Sequence, residues 1–183
     1  MSIYYVRHGK TSWNAQCKLQ GRSDIELDED GIKQAYQTAA LLKDIHIDKI
    51  YCSPLKRAIQ TANIINEVCN AEFVLEPALL ERCFGEFEGL NLQEHKVYIW
   101  SFEENLCEHA ETMQDFFTRV QSFVESVKKE ACEKNVLFVA HGGVYLPIHE
   151  YFYGLNRKDD LMKYVPENCT VTTFTFPGNV CHS

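Results

Sequence analysis

The sequence predicts an α/β fold built around a mostly parallel sheet. Three observations lead there. Short β-rich runs alternate with amphipathic segments along the chain. One run, "NVLFVA" at 135–140, is continuously apolar, as suits a strand buried on both faces. Gly or Pro follows several of the runs and breaks regular structure there.

Taken in order, "SIYYV" (2–6) is a β-rich run that ends at a glycine-containing turn. Asp28 to Asp30 precede Gly31 and "IKQAYQTAALLKDI", in which Ile32, Ala35, Tyr36, Ala39, Leu42 and Ile45 recur at helical spacing. "KIYCS" (49–53) reads as a second strand, and Pro54 opens the helix "LKRAIQTANIINEV" at its first turn. "EFVL" (72–75) is a third strand, and "LLERCFGEFEG" (79–89) a glycine-punctuated loop. Residues 91–110 have weak periodicity and suit short helices, so 85–110 is expected to form a small cap. "TMQDFFTRVQSFVESVKKEA" (112–131) predicts one helix with Phe116, Val120, Phe123 and Val127 on its apolar stripe. After "NVLFVA", His141, Gly142 and Gly143 lead into a helix near 144–153. "CTVTTFTF" (169–176) alternates as a last strand does. No domain boundary is visible, so the 183 residues are expected to form a single domain.

Composition narrows the function classes. A chain that is 45% hydrophobic is globular, and its net charge of −8, with no Lys/Arg cluster, argues against nucleic acid or an anionic membrane as partner. No apolar run is long enough to span a bilayer, and "SIYYV" is too short for a signal-peptide core. A cytoplasmic protein is expected. Its eight cysteines show neither C-x-x-C nor ligand-like spacing, so they are expected to be free thiols. Whether the chain is a monomer or a homodimer stays open.

The polar residues fall where such a sheet presents ligands, beyond the carboxyl ends of its strands. Arg7 and His8 follow the first run; Ser53, Arg57 and Gln60 follow the second; Glu81 comes shortly after the third; His141 follows "NVLFVA". Two arginines and two histidines suit phosphate oxygens. Gly142 and Gly143 at a helix start offer backbone N–H groups to an anion, and Glu81 can give and take a proton. There is no H-E-x-x-H or H-x-H, so phosphate charge must be managed by protein cations, without metal or other cofactor. Singly, each residue has an ordinary explanation: a packing histidine, a solvated arginine, a surface Glu81–Arg82 pair.

Together they form a pattern. "VRHGKTSWN" resembles the R-H-G-[EQ]-[TS]-x-x-N signature of the histidine phosphatase superfamily, the phosphoglycerate-mutase-like proteins. "YCSPLKRAIQTA", "LLERCFGEFEG" and "VLFVAHGG" resemble three further blocks of that family, in the family's order. The resemblance implies a three-layer α/β/α sandwich. It implies that His8 is the nucleophile and becomes phosphorylated, while Arg7, Arg57 and His141 clamp the phosphoryl oxygens. Asn14 and the Gly142 backbone would add hydrogen bonds, and Glu81 would act as general acid, then base. "QGRSD" (20–24) matches the segment that borders the substrate, which brings in Gln20 and Gly21. Lys10 departs from the family's Glu or Gln and is expected to lie beside the phosphate pocket, not in it.

Three readings of function follow. A phosphomonoesterase passes the phosphoryl group to water; a phosphoglycerate mutase returns it to substrate; a regulatory module binds a phospho-ligand without turnover. "ERCFGEFEGLN" is similar to the mutases, but they continue with Lys where this chain has Leu92. They also carry an Arg pair after a Trp, where Trp100 is followed directly by Ser101 and Phe102. Those differences favour hydrolysis. The full catalytic set argues against a module without turnover. The expected partner is a small phosphorylated metabolite, with phosphoserine the first candidate, its amino-acid head group meeting Arg82 and residues of 91–110.

Overall fold

The structure is a computed structural model and describes residues 1–102 and 107–176, with the side chains of 95–98 left aside. Five strands, β1 (Ile3–Arg7), β2 (Lys49–Cys52), β3 (Glu72–Leu75), β4 (Val136–Ala140) and β5 (Val171–Phe174), form one sheet in the order β3-β2-β4-β1-β5. All neighbours are parallel except β5, which runs antiparallel to β1 at one edge. The α/β class and the mostly parallel sheet are therefore as the sequence predicted.

β4 lies at the centre, and every residue of it is buried. One face of the sheet packs on α2 (Glu29–Leu42) and α3 (Lys56–Cys69), through Ala39, Leu42, Ala58, Ala62 and Ile65 against Val6, Ile50, Leu137 and Val139. The other face packs on α5 (Met113–Ser126) and α7 (Tyr145–Tyr153), through Phe116, Phe117, Val120, Phe123 and Leu146 against Tyr5, Tyr51 and Phe138. Alternate residues of one strand supply the two cores because successive side chains point to opposite faces. Three short helices complete the set: α1 (Ser12–Ala15), α4 (Leu92–Ile99) and α6 (Lys128–Glu133).

Four details differ from the sequence reading. Ile32 and Tyr36 are 41% and 52% exposed, because the buried face of α2 is Gly31, Ala35, Thr38, Ala39 and Leu42, of which only Ala35, Ala39 and Leu42 belong to the predicted stripe. The 112–131 helix is two helices, broken at Val127, whose ψ of 1° leaves the helical region while its side chain stays buried. Pro54 lies ahead of α3, with Leu55 as the residue that enters the helix. Six cysteines (Cys17, Cys52, Cys69, Cys83, Cys107 and Cys169) are free, but Cys132 is disulfide-bonded and Cys181 lies outside the described residues. Sequence spacing says nothing of which Cβ atoms approach in space, and that approach is what a disulfide requires. Of the expected cap, 85–102 holds a short 3-10 turn (Gly85–Phe87) and α4, and 103–106 lie outside the described residues. No helix among the described residues is long and apolar enough to cross a membrane.

Candidate active site

Sheet pairing brings the chemistry together. β1 and β4 pair so that Arg7 faces Ala140, and β2 and β4 so that Cys52 faces Val139. The ladder runs one residue further on each side: the His8 N–H donates to the Ala140 carbonyl at 2.9 Å and the Ser53 N–H to that of Val139 at 3.0 Å. Arg7–His8, Ser53 and His141 therefore leave three adjacent strands at one level. A cleft opens there, lined by Arg7, His8, Asn14, Gln20, Arg57, Glu81, Gly142 and Gly143 at the end that carries these groups, its inner end.

His8 is buried, and its Nδ1 bonds the Gly9 carbonyl at 2.7 Å. A carbonyl only accepts, so the ring proton sits on Nδ1 and the lone pair on Nε2. Arg57 Nε–H donates to that Nε2 at 3.3 Å. Burial, then Arg57 and Arg7, hold the His8 imidazole well below the usual range, so it is neutral at neutral pH. Neutral His8 is the nucleophilic form.

The cations are held by backbone carbonyls. Arg57 is fully buried and donates to Ser23 and Gly21 carbonyls at 2.8 and 2.7 Å. Burial brings its guanidinium down to about 10, so it keeps its charge at neutral pH. Arg7 donates from Nη1 to the Pro166 carbonyl at 2.7 Å, and its buried Nε has no protein partner among the described residues. The Asn14 Oδ1 accepts from the Thr11 N–H at 3.1 Å, which fixes the amide's orientation and turns its Nδ2 donor away from Thr11.

Glu81 is anchored at both oxygens. Oε1 accepts the Arg82 N–H at 2.9 Å and Oε2 the Gly143 N–H at 3.0 Å. Burial raises its pKa, outweighing those two N–H groups and the nearby Arg57 and Arg7. Gly143 must be glycine, since a Cβ there would come within 2.4 Å of Glu81 and 2.7 Å of Trp100. At Gly142 a Cβ would meet Val165 at 2.9 Å and the Arg7 guanidinium at 3.2 Å.

His141 is fully buried, its ring centroid 5.2 Å from that of His8, and it does not itself line the cleft. Its Nε2 lies 2.7 Å from Ser53 Oγ, and Nδ1 has no partner among the described residues. Burial and the positive charge of Arg57 push its pKa well down, so it too is neutral. Gln20 lines the cleft, but Gly21 does not; it serves as the carbonyl anchor of Arg57, at a left-handed φ of 51°. Lys10 pairs with Asp30 at 3.2 Å and is not part of the lining. Among the described residues, no group of three His, Cys, Asp or Glu could hold a metal ion.

Arg82 differs from the expectation. It is fully buried, absent from the cleft wall, and donates to the carbonyls of Glu111 (2.8 Å) and Ile99. Its side chain reaches those carbonyls, whereas that of Glu81 lines the cleft. Three further residues escaped the sequence reading. Tyr5 hydroxyl donates to the His141 carbonyl, Asn168 Nδ2 to that of His8 at 2.7 Å, and Gly9 N–H to Thr61 Oγ1 at 3.0 Å. Each acts on backbone from a distant segment, and no local pattern marks them.

The model of the histidine phosphatase superfamily (branch 1) matches residues 3–182. The chain belongs to that family. An uncharacterized phosphatase of Bacillus subtilis, PhoE, is 38% identical over 77% of this chain and 72% of its own length. A putative phosphoserine phosphatase 2 of Hydrogenobacter thermophilus is 31% identical over 99% and 97%. A probable phosphoglycerate mutase, GpmB, of Enterobacter sp. is 32% identical over 78% and 70%. Among solved structures, a phosphoserine phosphatase mutant of Entamoeba histolytica in complex with phosphoserine superposes with a TM-score of 0.83 at 26% identity, covering 97% of this chain and 91% of that one.

Proposed function

We propose that this histidine phosphatase is a phosphomonoesterase that hydrolyses a small phosphorylated metabolite, phosphoserine foremost, through a phosphohistidine at His8. The observation that carries the reading is the His8 ring: neutral, its Nδ1 proton on Gly9, its Nε2 accepting from Arg57, in a cleft that Arg7 and the carboxyl of Glu81, of raised pKa, also line. In the first step the Nε2 lone pair attacks phosphorus in line. The ester P–O bond breaks, and Glu81 delivers its proton to the leaving alkoxide. In the second step the Glu81 carboxylate takes a proton from water, whose oxygen attacks phosphorus as the N–P bond breaks. Arg7, Arg57, Asn14 and the Gly142 N–H stabilise charge on the equatorial oxygens. Ser53 Oγ accepts a long bond from the Leu55 N–H at 3.5 Å, which favours donating its own proton to His141 Nε2. The His141 proton is then on Nδ1, which is buried, has no partner among the described residues, and would reach a phosphoryl oxygen only from behind the cleft wall.

Hydrolysis is favoured over mutase chemistry by the outer cleft. Apart from the phosphate clamp its lining is Leu19, Phe84, Leu92, Trp100, Met162 and Val165, of which Trp100 and Val165 lie against Gly143 and Gly142, with Lys18 the one lining cation besides Arg7 and Arg57. Leu92, where the mutases have Lys, belongs to this apolar wall. A phosphoglycerate needs its carboxylate and second phosphorylatable oxygen both held. The test supplies 3-phosphoglycerate with a trace of bisphosphoglycerate and follows both products. Inorganic phosphate is expected to appear at least ~10-fold faster than 2-phosphoglycerate, the loss expected from one missing charge-assisted contact. Isomerisation outrunning phosphate release would make the chain a mutase.

A further inference from the structure

Beyond the phosphate clamp, the cleft wall carries a cation, Lys18, with no assigned role. Lys18 and Gln20 flank Leu19, and all three line the wall. Their segment is pinned by backbone bonds to 89–92: Leu92 N–H to the Cys17 carbonyl (2.7 Å), Leu19 N–H to Leu90 (2.9 Å) and Gly89 N–H to Leu19 (2.8 Å). Lys18 itself forms a β-bridge with Asn91. The backbone that carries Lys18 is thus fixed.

Lys18 Nζ sits over the Trp13 ring, 5.7 Å from its centroid. No carboxylate pairs with it among the described residues, although the chain has 26 acidic residues. Around it the outer wall is apolar. Gln20 is only 8% exposed, and its Oε1 has no partner among the described residues. A buried acceptor without a donor costs stability unless a ligand supplies one.

We propose that Lys18 is a head-group contact that selects phosphoesters of α-amino or α-hydroxy acids by taking their carboxylate, beside the Gln20 that the family resemblance already places at the substrate. The inference rests on the phosphomonoesterase reading above and names a residue that gives it specificity. One ammonium suits one carboxylate; a second phosphate calls for several convergent donors, which the outer wall does not offer. This assigns to Lys18 the role that the buried Arg82 does not fill.

The test compares phosphoserine with phosphoethanolamine, which lacks only the carboxylate. In the unaltered protein, kcat/KM is expected to favour phosphoserine by about 10- to 100-fold, the range for a hydrogen bond to a charged group. Lys18→Met should bring that ratio close to one, and Lys18→Arg should keep most of it. A ratio near one before substitution, or one that survives Lys18→Met, overturns the proposal. The same pair is measured by equilibrium binding to the His8→Ala protein, alone and with Lys18→Met. That arm decides the Lys18 role even where nitrophenyl phosphate is not hydrolysed, an outcome that would refute the phosphomonoesterase reading instead.

Discussion

The inner and outer ends of the cleft are built by different means. At the inner end, each reactive group is tied to main chain: His8 to Gly9, Arg7 to Pro166, Arg57 to Gly21 and Ser23, Glu81 to Arg82 and Gly143. The strands that carry them are paired up to the last residue before the site. At the outer end the walls come from loops and α4, and contacts run between side chains, such as the Trp100 Nε1–H to Met162 Sδ at 2.9 Å. A transition state demands donors placed in advance, because reorganising them during reaction would raise the barrier. On the proposed reading the strand ends serve the first task, and the loop segments, 17–19 pinned to 89–92 among them, serve recognition of a head group.

The sharpest way to break the comparison is at His8. His8→Ala should lower phosphate release by at least ~10⁴-fold, the size of effect seen when a covalent nucleophile is lost. Acid-labile, alkali-stable phosphate should be trapped on the unaltered protein and be missing from the variant. Comparable turnover in both would remove His8 from the inner end's chemistry.

Glu81→Gln comes next. It keeps the shape that Arg82 and Gly143 hold but has no proton to give. Phosphoserine hydrolysis should fall by ~10²–10⁴-fold, while nitrophenyl phosphate, whose leaving group needs no proton, should lose less than ~10-fold in phosphohistidine formation. Burst kinetics separate that step from dephosphorylation. Equal losses would mean that Glu81 acts only in the second step or not at all as an acid. The pH profile carries the same information. With the His8 pKa lowered and that of Glu81 raised, kcat/KM should hold on the acid side below the ordinary imidazole range and decline as Glu81 ionises.

Arg57 and Arg82 provide a finer contrast. Both are fully buried, and burial brings both down to about 10, yet only Arg57 reaches the cleft. Arg82→Met strands the carbonyls of Ile99 and Glu111. It should cost about 2–4 kcal/mol, a fall in Tm of roughly 5–15 °C for a chain of this size. Nitrophenyl phosphate turnover, measured well below the new Tm, should change far less than in Arg57→Met. A reversed order would move Arg82 into the catalytic end.

The smallest effect is on stability against pH. His8 and His141 both have lowered pKa values in the fold, so below about pH 6.5 the unfolded chain binds protons that the folded chain refuses. Stability falls as pH drops from there toward the folded values, by at most about 1.4 kcal/mol per pH unit for each imidazole. Glu81 works in the opposite sense: its raised pKa costs stability above the ordinary carboxylate range, and protonation relieves that cost as pH falls. Two groups outweigh one, so Tm should decline between pH 7 and 5.5. The decline should be shallower in His8→Ala; an equal slope in both proteins would contradict the buried neutral His8.

Much of this was legible in the sequence because local chemistry carried it. "EFVL" at 72–75 is β3 to the residue, and the all-apolar "NVLFVA" marked the central strand, since only a doubly buried strand needs no polar face. Arg7, His8, Glu81 and His141 stood out because each follows a strand in a family pattern. Tertiary structure decided the rest. Periodicity told that α2 is amphipathic but not where its buried face ends, so Ile32 and Tyr36 lie outside while Thr38 is buried on the Cys169 carbonyl. Nothing local marks the Asn168 bond to the His8 carbonyl, because its partner comes from a distant segment. The sequence shows two adjacent residues, Glu81 and Arg82. One faces the cleft and the other the loop behind it, and only the path of the backbone through the folded chain determines which.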